Sequence, residues 1–333
     1  MKTFFIWGLI VIITLCVLEV LLKLFAPIYF TGYVGAYQYD DELGTRLKPN
    51  IHFFRTTDYQ QEIRTNRLGT VNFQESFKDY KHLVYTIGDS YTQGTGSATD
   101  AAYPFQLDII LNTREGHYEP DYGVINLGLA SYGGEQAALC LRRYMKEIGR
   151  PDFILFFGCP NDNMDNILFR SGYYHSQLVE GSPKWGAFLK PVQWVTNELE
   201  IGKRIKIILG KIRRGRIQKD TGKSDAPQNV AKLQEHAFLE LKHIADSCGA
   251  RLIVSWVDAN DDPSKAYDWL ENWADSNGVS FADWYEKASS VKEHIPALPF
   301  ENNHSGGHFR TWINYAVARA FADNILPSTE EGP

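Results

Sequence analysis

Cysteine is scarce in this 333-residue chain: there are four, and no two stand at metal-ligand spacing. Cys16 lies in an apolar N-terminal run, which leaves Cys140, Cys159 and Cys248, an odd set that makes no disulfide framework. They read as small buried apolar side chains, and they give no indication of the redox compartment. Basic excess is missing as well. The net charge is −6 at pH 7, so nothing argues for nucleic acid as a partner. No internal repeat is apparent, and no small-x-small cleavage site follows the one long hydrophobic run. What is present is an ordinary globular composition, 44% hydrophobic and 22% charged, with a somewhat rich aromatic share of 14%. A large core is available.

The hydrophobic run is uncharged from Phe4 to Leu18 and resumes after Glu19 through Leu22. At about 1.5 Å per residue it approaches the roughly 30 Å hydrocarbon thickness of a bilayer. An uncleaved single-pass anchor over residues 1–30 is expected. Glu19 stands four residues before Lys23, the favourable order for a helical ion pair. Tyr29, Tyr33 and Tyr37 suit an aromatic belt at the interface. Lys2 on one side and Lys23 on the other leave the orientation nearly undetermined by charge.

Residues 31–80 carry short alternating stretches punctuated by Pro49-Asn50, Asn66 and Gly69, and predict a small β-rich lead-in. From His82 onward, strand patterns alternate with helical ones. Leu83–Ile87, Val124–Gly128, Phe153–Gly158, Arg251–Val257 and Val279–Phe281 read as strands. Tyr103–Leu111, Glu135–Ile148, Val230–Cys248 and Ser264–Asn277 read as helices. Without hairpin signals, this predicts an α/β domain over 81–326 with a parallel sheet covered on both faces. An insertion at 165–228 interrupts the alternation. Within it, Lys203, Arg204, Lys206, Lys211, Arg213, Arg214, Arg216 and Lys219 interleave with six aliphatic residues between Ile201 and Ile212. This is either a basic amphipathic helix lying on an anionic bilayer or a solvated face over a buried isoleucine stripe.

Gly88-Asp89-Ser90-Tyr91 ends the first strand of that domain, and Gln93-Gly94 follow directly. A hydroxyl is thereby lifted to the carboxyl end of a strand, where open α/β sheets bind ligands. A serine there becomes a nucleophile if a base and an oxyanion site converge on it. The lesser alternative is a helix N-cap. Downstream, Asn126-Leu127-Gly128 ends the second strand, Cys159-Pro160-Asn161-Asp162 follows the third, and Asn302-Asn303-His304-Ser305-Gly306-Gly307-His308 precedes the last helical pattern.

Serine, glycine, asparagine and histidine in that order resemble the SGNH (GDSL-type) hydrolases over residues 80–325. The resemblance implies a three-layer α/β/α, flavodoxin-like fold and Ser90 as nucleophile, with Asp89 supporting its turn. It implies oxyanion donors from the backbone of Ser90, the backbone of Gly128 and the side-chain amide of Asn161. His308 is implied as base because Asn314 and Ala318 match the helix that follows it. Ser305, three residues before His308 and followed by Gly306, stands where the family carries its orienting acid. The alternative base is His304, with Glu301 as its acid; the Asp258, Asp261 and Asp262 cluster is a further acid source or simply a solvated loop. No cofactor or metal is implied. The expected activity is a serine esterase or deacylase on a lipid or glycan ester, with the catalytic domain outside the cytoplasm, as in anchored relatives. An O-acyltransferase for a surface glycan and a non-catalytic carbohydrate-binding module remain as alternatives.

Overall fold

The computed structural model describes residues 2–28, 36–172, 189–221, 227–257, 264–304 and 307–326. Tyr29, Tyr33, Asp258, Asp261, Asp262, Ser305 and Gly306 lie outside the described residues, with the expectations placed on them.

The N-terminal run forms helix α1 (Lys2–Phe25), with no buried side chain and with the length and apolarity to cross a membrane. Two antiparallel hairpins follow: β1 (Tyr37–Asp40) with β2 (Gly44–Leu47), and β3 (His52–Thr56) with β4 (Gln60–Arg64). The α/β domain then runs β5 (His82–Gly88), α2 (Ser90–Gln93), α3 (Tyr103–Asn112), β6 (Thr113–Arg114), β7 (His117–Tyr118), β8 (Tyr122–Asn126), α4 (Gly134–Glu147) and β9 (Phe153–Gly158). Its second half is α5 (Asp162–Arg170), α6 (Leu189–Glu198), α7 (Glu200–Thr221), α8 (Pro227–Cys248), β10 (Arg251–Trp256), α9 (Ser264–Asn277), β11 (Ser280–Phe281), α10 (Trp284–His294) and α11 (Thr311–Ile325).

Five strands form one parallel sheet in the order β11-β10-β9-β5-β8. Counted along the chain, this is the 2-1-3-4-5 order of flavodoxin-like sheets. Helices α3, α10 and α11 pack together on one face, and α4, α8 and α9 on the other. The three-layer α/β/α architecture is therefore present. Its strands are continuous apolar runs because both faces are covered: β8 is buried throughout, and β9 and β10 beyond their first residue. Buried aromatics keep their polar ends paired, as when Tyr85 donates to the Gly149 carbonyl and Trp284 Nε1 to the Trp256 carbonyl, both at 2.8 Å.

Three features differ from the sequence reading. The second strand ends at Asn126, two residues early, because Leu127 and Leu129 run on as a loop toward α2, the latter donating to the Gly88 carbonyl. A hairpin does occur after His82: Glu115 and Gly116 take φ of 49° and 80°, the left-handed pair that joins β6 to β7. Within the insertion, α5 and α6 are helices without a counterpart in the sequence reading, whereas α7 covers the basic helix expected there.

The lead-in is stitched to the domain by buried polar contacts. Asn72 Nδ2 donates to the Val124 carbonyl, Tyr132 to the Thr45 carbonyl and Gln136 to the Leu43 carbonyl. The Asp58 carboxylate, from the β3–β4 turn, accepts from the backbone N–H groups of Asn303 and His304 at 2.8 and 2.9 Å. It therefore holds the loop that carries the candidate histidines.

Candidate active site

Strand β5 ends on Gly88, with φ of 149°. A Cβ there would meet the Phe157 carbonyl at 2.5 Å, so glycine alone lets the chain turn this close to β9. Asp89, fully buried, caps α2 by accepting the Tyr91 N–H at 2.9 Å. Ser90 is thus the first residue of α2, at the carboxyl edge of the sheet, where the strand order reverses. Its Oγ lies 2.8 Å from His308 Nε2 and 3.1 Å from Asp89 Oδ2. The shorter contact is with the imidazole.

His308 reaches this position through a locked turn. Glu301 bridges Phe309, the Asn302 N–H donates to the His308 carbonyl at 2.9 Å, and Asn302 Nδ2 donates to the Phe309 carbonyl at 2.9 Å. Asn314, on α11, donates to Ser97 Oγ and the Ala101 carbonyl, fixing that helix to the chain after α2. Tyr91 completes the clamp. Its ring lies 4.9 Å from the His308 ring at 34°, and its hydroxyl donates to the Gly307 carbonyl at 3.1 Å. Burial, and secondarily the Asp89 charge, pushes that phenol well above its ordinary range, so it remains a neutral donor. His304 is exposed, its backbone N–H donating to Asp58, and the imidazole bonded to Ser90 is that of His308. Burial raises the Glu301 carboxyl, which lies beside Gly307, where an added Cβ would come within 3.3 Å of it.

The oxyanion side differs from the resemblance. The Gly128 N–H donates to Asn126 Oδ1 at 3.0 Å and so is engaged inside its own loop. Glycine is required there for another reason: a Cβ would meet Thr92 Cβ at 2.5 Å, in the helix that carries Ser90. The loop then crosses α2, with the Leu129 N–H donating to the Gly88 carbonyl and the Ala130 N–H to Gln93 Oε1. Ser131 follows with φ of 71°, strained for a side-chain-bearing residue. Among the described residues, the backbone N–H groups of Ser90 and Ser131 donate to no one.

Asn161 Nδ2 donates to Asp165 Oδ2 at 2.7 Å and approaches Asp89 Oδ2 at 3.4 Å. Cys159 Sγ lies 2.9 Å from the same Asp89 oxygen and 3.3 Å from Asp162 Oδ1. Ser90, Cys159 and Asn161 therefore converge on one oxygen. Burial, then the Asp89 charge, raises the Asp162 carboxyl far above the carboxylate range. Burial, with Asp162 and Asp89, likewise holds Cys159 as a thiol. Asp89, Cys159 and Asp162 are close enough to ligate an ion, and binding one would release the thiol proton. The group is a buried hydrogen-bonded cluster beside the serine. Sequence reasoning passed over Tyr91, Ser131 and Cys159. Only the backbone conformation marks Ser131, since its residue type gives no hint of a left-handed turn.

No family profile matches the sequence, and no curated protein matches it. Among solved structures the chain is similar to a protein assigned to the lipolytic G-D-S-L family from Desulfitobacterium hafniense DCB-2, at 12% identity over 74% of this chain and 99% of that one, with a TM-score of 0.41. It is also similar to a member of the lipolytic protein G-D-S-L family from Veillonella parvula DSM 2008, at 10% identity over 72% and 96% of the two chains, with a TM-score of 0.39. At these values neither likeness says what this chain does.

Proposed function

We propose that this chain is a serine hydrolase of the SGNH type that cleaves a lipid or glycan ester. The observation that carries the reading is the 2.8 Å contact between Ser90 Oγ and His308 Nε2 at the sheet's switch point. In the proposed reaction His308 Nε2 takes the hydroxyl proton as Ser90 Oγ bonds to the acyl carbon. The imidazolium returns that proton to the departing alkoxide as its bond to carbon breaks. Water then attacks the acyl-enzyme through the same histidine.

Free N–H groups of Ser90 and Ser131 are the proposed oxyanion donors, with the Asn161 amide nearby; fixed donors aimed at the developing charge supply the largest usual catalytic contribution. Asp89 Oδ2, 3.1 Å from Ser90 Oγ, is the second polar contact that holds the hydroxyl in place. Tyr91 keeps the imidazole facing Ser90. A chromogenic acetate ester tests this: wild type is expected to hydrolyse it and Ser90→Ala to fall to background. Acceptor-dependent acyl transfer with little hydrolysis would replace the esterase by an acyltransferase. Failure of folded wild type with water and with sugar acceptors would leave a binding module.

We also infer that α1 is a retained membrane anchor. Support comes from its contacts with the folded domain, because a helix destined for removal would not hold up a distant element. The Glu19 carboxylate accepts from the N–H groups of Glu200 and Ile201 at 2.6 and 3.0 Å, capping α7. Lys203 Nζ donates to the Ile28 carbonyl and Arg204 to that of Ala26. The proposed location of the catalytic domain is outside the cytoplasm, a reading supported by resemblance to anchored hydrolases. Protease added to intact cells should then digest it, and protection would reverse that orientation.

A further inference from the structure

Helix α7 leaves a line of large aliphatic side chains uncovered. Ile205, Ile208, Leu209 and Ile212 are 49%, 56%, 60% and 48% exposed. Their spacing of i, i+3, i+4 and i+7 places them on one face of the helix. At about 100° per residue, Lys206 and Lys211 lie on either flank of that face, roughly 110° from its centre. Both are exposed, as is Arg216 further along. The neighbouring α6 adds Trp194 and Val195, 59% and 42% exposed. Gly202 lets these two helices meet by packing directly on the Val195 carbonyl. A soluble helix would present the opposite arrangement, with its aliphatic stripe against the core.

The start of α7 is fastened to α1. Glu19 caps the helix through Glu200 and Ile201, and the buried Glu200 carboxylate accepts from the Ile28 N–H and pairs with Lys203 and Arg204. Glu19 lies six residues before the end of α1, about 9 Å along the helix axis. If α1 spans the bilayer, α7 therefore departs at the level where acyl chains meet headgroups. An amphipathic helix with basic flanks lies at that depth, its apolar face sunk about 5–10 Å. Anionic headgroups favour such a segment through its lysines and arginines.

We propose that α7, with α6, is an interfacial arm that lies on the anionic surface of the same bilayer that α1 spans, its stripe of Ile205, Ile208, Leu209 and Ile212 immersed. The proposal rests on the anchor reading and is independent of the catalytic one. It implies that the domain is held at a fixed attitude to the membrane instead of swinging on a single tether.

Spin-label accessibility in the full chain tests it, in phosphatidylcholine–phosphatidylglycerol nanodiscs. Cys16→Ala and Cys248→Ala remove the reachable thiols, leaving Cys140 and Cys159, which are buried. Labels are placed singly at Ile208→Cys, at Ile12→Cys in the span, and at Glu286→Cys, whose side chain is 73% exposed on the α/β domain. The label at 208 should, like that at 12, meet dissolved oxygen and be shielded from a water-soluble nickel chelate, while that at 286 does the reverse. It should move toward water when phosphatidylglycerol is left out, or when Lys206→Glu and Lys211→Glu are introduced. A label at 208 as open to nickel as that at 286 overturns the arm while the span stands. Openness at 12 as well overturns the anchor itself. Dipolar broadening between labels at 208 would put a second copy on the stripe and overturn the lipid assignment, and indifference to lipid charge would overturn the anionic part.

Discussion

Ser90 Oγ sits between two acceptors, His308 Nε2 at 2.8 Å and Asp89 Oδ2 at 3.1 Å, and its chemistry depends on which receives the proton. Tyr91 biases that choice by packing on the imidazole and holding the Gly307 carbonyl. Tyr91→Phe retains the ring and removes the hydrogen bond. We expect kcat to fall about fivefold with KM unchanged, since a neutral hydrogen bond is worth about 1 kcal/mol and one decade is about 1.4 kcal/mol. Steady-state kinetics on a chromogenic ester check this; a rise in KM at constant kcat would mean that Tyr91 binds substrate instead. At this scale the two side chains in contact, Ser90 and His308, were legible. Ser90 and His308 were identified by the elements on either side of them, a strand before one and a helix after the other. What Tyr91 and Ser131 do was not legible, because it depends on a ring-to-ring distance and a φ angle that residue type does not encode.

Helix α2 is only four residues long, so its position depends on what presses against it. Gly128 is the contact that matters, and its role is packing rather than donation: its own N–H is taken by Asn126. An added methyl would meet Thr92 Cβ at 2.5 Å. Gly128→Ala is expected to destabilise the fold by about 1–3 kcal/mol, the usual range for overpacking, and to lower turnover by shifting Ser90. Denaturant titration with parallel kinetics measures both, and unchanged values would show that the loop simply yields. The parallel sheet was legible because its strands are unbroken apolar runs bounded by turn residues. The β6–β7 hairpin was not. Two-residue strands carry no pattern, and Glu115 in a left-handed turn is an uncommon choice.

The whole molecule carries buried carboxyls whose protonation couples folding to pH. Asp108, 2% exposed, is raised by burial from the ordinary 3.8 to about 6, even though Tyr118, Asn112 and Gln74 donate to it. The folded state thus binds this proton more tightly than the unfolded chain. The stabilisation is fully present below about pH 4 and is lost as the pH rises through about 6. At about 1.4 kcal/mol per pH unit, ionising the buried group costs the fold roughly 3 kcal/mol. Asp108→Asn should flatten that stretch of a stability–pH curve, and an unchanged slope would assign the loss to other groups. The long apolar N-terminal helix is a whole-molecule feature that composition announces directly. Its clasp on α7 is not, since Glu19 and Glu200 lie 181 residues apart. The reaction proposed for the molecule is tested most directly by timed labelling of the folded, full-length protein with a fluorophosphonate, which reports an activated serine whatever the natural ester. Wild type and His304→Ala should label at one rate, His308→Ala roughly 10³-fold more slowly or worse, and Ser90→Ala not at all. A folded wild type that stays unlabelled, or a His308→Ala that labels as fast as wild type, would contradict the Ser90–His308 pair.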